Sequence, residues 1–178
     1  AKEQAGKDCR VDVVDSKQAD MGLGLLAIGA AQRAKAGATV YDICDWLHHA
    51  IPRTHLLGAV DTLEYLQKGG RIGKAQAFLG SLLQIKPIIG VRDGEVHPVE
   101  RVRTRGRAME RLAELATAFK AVEALALIHS TDAEAVLGLE KQLERAFPGV
   151  RTYRARFGPV IGTYTGPGAV GVALIEAF

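Results

Sequence analysis

The chain has 178 residues, 48% hydrophobic and 24% charged, with a net charge of +3. That length and composition suit one medium globular domain, or one domain and part of another, able to bury a core without staples. They exclude a spanning helix, since no run of about 18 uncharged apolar residues occurs; the start Ala1-Lys2-Glu3-Gln4 has no apolar signal region, and so mild a charge does not demand nucleic acid.

Lys2 to Lys7 reads as the tail of a helix ended by Gly6. Cys9 and Cys44 fit no metal or redox spacing and read as reduced thiols of a cytosolic protein. Val11 to Val14 reads as a buried strand. Asp20 is placed to cap a helix from Met21 to Ala36, with Gly37 as its stop. Gly22, Gly24 and Gly29 within that helix point to close packing against another backbone. Thr39 caps a second helix, Val40 to His49, ended at Pro52.

His55 to Val60 follows as a strand, and Asp61 caps a short helix, Thr62 to Gln67. Gly69-Gly70-Arg71-Ile72-Gly73 breaks that helix, and Lys74 to Leu83 is predicted helical. Lys86 to Val91 is a strand, Asp93-Gly94 a type I′ hairpin turn, and Glu95 to Arg103 the returning strand. Thr104 caps a helix from Arg105 to Phe119. Ala124 to His129 is a strand, and Thr131 or Asp132 caps a helix to Phe147. Val150 to Arg156, Val160 to Thr165 and Val170 to Phe178 are three closing strand segments.

The fold class is therefore α/β. From His55 the predicted order is β, α, α, β, β, α, β, α, β, β, β, a mixed sheet with helices on one side. Its hairpin means that the sheet is not purely parallel. Residues 1–53 read as strand, helix, helix, the partial end of a doubly wound α/β domain, and residues 54–178 as a C-terminal mixed-sheet domain.

No catalytic constellation stands out. There is no Ser elbow, no metal-ligand spacing and no phosphate-cradling loop. The Gly69–Gly73 stretch follows a helix, the wrong context for a dinucleotide fingerprint; on spacing alone it is a helix cap plus an exposed arginine. Arg101 and Arg103 share one strand face by period two. A solvated face explains them, and so does a site gripping a carboxylate or phosphate. Arg105, Arg107 and Arg111 form a helix face open to solvent or to an acidic partner. His129 ends an apolar strand, as many satisfied core histidines do. In Gly162 to Gly168, Thr163, Tyr164 and Thr165 sit among glycines. That is either a tight turn or a backbone that approaches a ligand while hydroxyls point at it.

At these residues the sequence resembles the DegV family of bacterial proteins. The matching stretches are Asp15-Ser16 with Met21-Gly22-Leu23-Gly24, Asp61 to Leu66 with Lys68 to Ile72, and Gly80-Ser81-Leu82-Leu83 with Ile85 to Ile88. Val102-Arg103-Thr104-Arg105 and Pro159 to Thr163 with Thr165 to Ala169 complete the ordered series. The resemblance implies a parallel-sheet α/β/α first domain and a mixed-sheet second domain. It implies a long-chain fatty acid in an apolar tunnel, with no other cofactor and no metal. Family members are similar to the binding subunits of a two-part fatty acid kinase. The resemblance thus implies a cytoplasmic, non-catalytic protein that presents the fatty acid carboxylate to a separate kinase subunit, which forms acyl phosphate from ATP.

Carried over on that resemblance, Arg71, Arg103, His129, Thr163, Tyr164 and Thr165 are the expected ligand-binding residues. Arg71, Arg101, Arg103 and Arg105 are expected to face the partner. Tyr164 stands where many relatives have histidine, so it can donate a hydrogen bond but is a poor cation at neutral pH. Leu79 to Leu83 and Met21 to Leu26 are candidate tunnel walls or ordinary core. The family's first strands and a serine-containing carboxylate loop are expected to precede Ala1, which makes a fragment with weakened lipid binding the expectation. Two other readings stay open: a lipid-responsive regulatory module, or an enzyme whose nucleophile lies in the missing N-terminal part.

Overall fold

The structure is a computed structural model that describes residues 10–80 and 85–178. The expected Lys2–Lys7 helix tail, Cys9 and Ser81 to Leu83 lie outside the described residues.

Six strands form one mixed sheet in the order β3-β2-β1-β6-β4-β5. They are β1 (Thr54–Ala59), β2 (Lys86–Arg92), β3 (Glu95–Val102), β4 (Val122–His129), β5 (Thr152–Arg156) and β6 (Val170–Glu176). β4 and β5 run parallel, and the other neighbours pair antiparallel. Asp93 and Gly94 have φ of 53° and 80°, as the type I′ turn between β2 and β3 requires. A shift in register between Ile88 and Ile89 bends this pair.

The helices are α1 (Asp20–Lys35), α2 (Val40–Ala50), α3 (Glu64–Lys68), α4 (Arg105–Thr117), α5 (Ala135–Ala146) and α6 (Pro159–Thr165). Among the described residues none is long and apolar enough to cross a membrane. Thr39 closes a capping box with Asp42, and Thr104 accepts from the Arg107 N–H at 3.2 Å. Asp132, one of the two expected caps of α5, accepts from the Ala135 N–H at 3.1 Å.

The sheet carries helices on both faces rather than on one. Leu125, Leu127, Val172 and Leu174 pack with Leu112 of α4 and Leu143 of α5. The alternate residues Ala126, Ile128, Ala173 and Ile175 pack with Leu25 and Leu26 of α1. A β4 that is apolar at consecutive positions needs cover on two sides, and α1 with α2 supplies the second. Gly29 fits that layer because it lies under the Trp46 ring of α2, with no room for a Cβ. The glycine admits a side chain here, not a second backbone.

Other expectations change locally. Val11 to Val14 forms no strand, and Val13 is 77% exposed, since no described strand pairs with it. Val160 to Thr165 is the helix α6, not a strand. Pro159 at its first turn presets a helical φ, and the Thr163 and Thr165 hydroxyls donate to carbonyls one turn back, at 2.8 and 3.2 Å. Over its described residues, to Gly80, the expected Lys74–Leu83 helix is instead a 3₁₀ turn, Gly73–Phe78. Asp61 does not cap α3; its carboxylate meets Lys86 Nζ at 3.1 Å and Arg105 at 3.3 Å.

Candidate functional site

A cavity of about 550 Å³ opens on the α1 face of the sheet. Its floor includes Leu56 and Gly58 of β1, Ile89 of β2 and Val96 of β3. Phe157 and the α6 side chains Val160, Ile161 and Tyr164 line it as well. Beside it lies a small cluster, where Val60, Leu63, Leu66, Ile89 and Ala169 are buried with Phe157 and Tyr164 packed on them. The lining is mostly apolar, with Gln18, Asp20, Arg71, Glu95, Thr165 and the Tyr164 hydroxyl as its polar members. A volume of that size with few polar groups is the form of a small-molecule site.

The entry to α1 closes one side. The hairpin tip holds this segment, because the Gly94 N–H donates to the Lys17 carbonyl at 3.1 Å. Gln18 Nε2 donates to the Thr54 carbonyl at 2.9 Å. Asp20 begins the helix at φ 44° and accepts from the Met21 N–H at 2.9 Å. Burial raises the Asp20 carboxyl above its ordinary range, opposed by the N–H groups of Met21 and Gly158. A carboxyl raised by folding is at its most favourable below the unfolded value, and that stability is lost as pH rises through the folded one. Asp20→Asn keeps the acceptor and tolerates the left-handed backbone. Thermal midpoints are therefore expected to be higher for Asp20→Asn at neutral pH, and to converge with wild type below about pH 4. A constant offset at all pH values would contradict the assignment.

A family model for DegV matches residues 1–177. The chain belongs to the DegV family. A DegV domain-containing protein of Streptomyces coelicolor is 38% identical over 167 residues, which cover 92% of this chain and 59% of that relative. The chain thus spans about three fifths of the length of such curated relatives. Among solved structures, a Thermus thermophilus DegV family protein described by its fatty acid binding has a TM-score of 0.87 at 30% identity, covering 96% of this chain and 62% of that one. DegV of Bacillus subtilis, described as a fatty acid binding protein, has a TM-score of 0.79 at 34% identity, covering 92% and 60%.

Within this DegV chain the residues expected from the resemblance separate into groups. Arg71, Tyr164 and Thr165 come together at the cavity. Arg71 is exposed at its rim, 5.3 Å from the Tyr164 ring centroid, and Gly69 lets that ring lie against the backbone. Thr163 is exposed on α6, its hydroxyl donating to the Pro159 carbonyl. His129 does not line the cavity; its carbonyl accepts from the Phe157 N–H at 2.9 Å, and its buried Nδ1 has no partner among the described residues.

The remaining arginines of the DegV motif lie on β3 and beyond it. Arg101 stacks on Phe78 at 5.0 Å. Arg103 is exposed just past the strand end. Arg105 is held inward: it donates to the Gly168 carbonyl at 2.7 Å and meets Asp61 and Asp132 at 3.3 Å each. It fastens three loops together. Leu25 and Leu26 are core, and the cavity takes Asp20 but none of Met21 to Leu26. Sequence reading missed Asp20, Phe157 and Gly58 as lining residues. Only Gly58 carried a signal, as a glycine inside a predicted strand.

Proposed function

We propose that this chain binds a long-chain fatty acid in the cavity between the sheet and α6, and presents its carboxylate to a separate kinase subunit for phosphorylation. The observation that carries this reading is an apolar cavity of about 550 Å³ with a cationic group at its rim. Burying methylenes supplies the affinity, roughly 0.8 kcal/mol each. The Arg71 guanidinium and the Tyr164 hydroxyl are the donors for the head group, with Thr165 beside them. The fatty acid binding of the Thermus and Bacillus relatives supports the same ligand class.

In this reading the protein is a non-catalytic cytoplasmic subunit. Its residues hold and orient the acid, and the partner supplies ATP and the transfer chemistry. The α1 and α2 layer closes the sheet face on which the cavity opens, and Arg101 and Arg103 belong to the partner-facing side. Native mass spectrometry of the purified intact protein tests the ligand. A bound species with the mass of a long-chain carboxylic acid, released by denaturation, is the expected result. Protein that carries no such species and takes up none when offered palmitate would overturn the reading.

A further inference from the structure

Three glycines interrupt the adjoining strands β2, β1 and β6: Gly90, Gly58 and Gly171. Gly58 pairs with Ile89 on one side and directly with Gly171 on the other. Glycine inside a paired strand weakens it, and often marks a place where something approaches the backbone closely. At two of the three positions that something is the protein itself. A Cβ at Gly171 would meet the Phe157 ring at 3.3 Å, and one at Gly90 would meet the Val99 and Leu57 side chains at 3.4 and 3.5 Å.

Gly58 differs. Apart from its two chain neighbours, its Cβ would find the Val170 carbonyl oxygen at 3.5 Å and no other heavy atom within 4 Å among the described residues. Its φ lies outside the left-handed region, so a side chain is sterically admissible there. Gly58 lines the cavity. The protein has therefore left floor space at the centre of its sheet and filled it with nothing of its own.

We propose that Gly58 is a specificity-determining residue: the missing side chain is room for the acyl chain, and residue size at position 58 sets the longest chain the cavity accepts. This rests on the reading that the cavity takes a fatty acid. A leucine at this position would occupy the space of about four chain carbons, each worth roughly fourfold in affinity.

The test measures binding of decanoate, laurate, palmitate and oleate to the intact wild-type protein and to Gly58→Leu and Gly58→Ala. For Gly58→Leu, palmitate and oleate affinity is expected to fall roughly 250-fold while decanoate stays within about threefold. Gly58→Ala should lose roughly fourfold for the longest chains only. Thermal melts are expected at or above wild type, because an interior strand glycine is being replaced. Should the leucine variant fail to fold, the alanine series decides. Length profiles unchanged in a folded variant would overturn the role of Gly58 alone. A wild-type protein that binds no chain of any length would overturn the fatty acid reading itself.

Discussion

Arg71→Ala is expected to weaken palmitate binding by roughly tenfold or more, while Arg103→Ala leaves the affinity within about twofold of wild type. The two arginines share a family resemblance but not a place. Arg71 lines the cavity and lies over the Tyr164 ring, so its charge is available to a carboxylate at the rim. A charge-assisted hydrogen bond is worth more than a neutral one, though exposure to solvent reduces it. Arg103 follows β3 and does not line the cavity. On the proposed function, its removal should instead slow phosphate transfer by a kinase subunit, with steeper salt dependence for wild type than for the variant. Calorimetric affinities, measured beside transfer rates at saturating lipid, separate the two effects. Loss of affinity in Arg103→Ala with none in Arg71→Ala would exchange their roles.

That separation marks the limit of what the sequence carries. Local signals placed most elements correctly. Thr39 and Thr104 announced their helices through hydroxyl caps, and Asp93-Gly94 announced the hairpin through its demand for positive φ. Long-range packing was harder to read. Val160, Ile161, Thr163, Tyr164 and Thr165 are strand formers by propensity, yet α6 wins because Pro159 starts a helical turn, the Thr163 and Thr165 hydroxyls bond one turn back, and Tyr164 packs on the cluster of Leu63 and Leu66. Val11 to Val14 shows the reverse, an apolar run with no described partner strand to bury it. The second helical layer was legible in principle. Leu125-Ala126-Leu127-Ile128 has no polar alternation, which is the pattern of a strand covered on both faces. As for the site, the ordered motifs brought Arg71 and Tyr164 forward. They could not bring forward Asp20 or Phe157, which reach the cavity only through the packing of α1 and the β5–α6 connection on the sheet.

Leu127→Ala is expected to cost about 3–5 kcal/mol of stability without changing lipid affinity at temperatures where the variant is folded. Leu127 has no solvent-exposed surface, and it sits on β4 between β6 and β5. Its face is the one packed by Leu112 and Leu143, so truncation removes transfer energy and leaves a void between two rigid layers. The cavity lies on the opposite face, lined by none of these three side chains. A urea midpoint lowered at unchanged slope would report the stability loss as a change in the native core rather than in the unfolded chain. Val13→Ala supplies the contrast. At 77% exposed, Val13 should shift the midpoint by no more than about 0.5 kcal/mol, whereas a buried strand at Val11 to Val14 would demand a loss several times larger. Palmitate affinity that falls together with stability in Leu127→Ala would mean that the two faces of the sheet are coupled. Affinity that holds while stability falls is what a cavity confined to the α1 and α6 side requires.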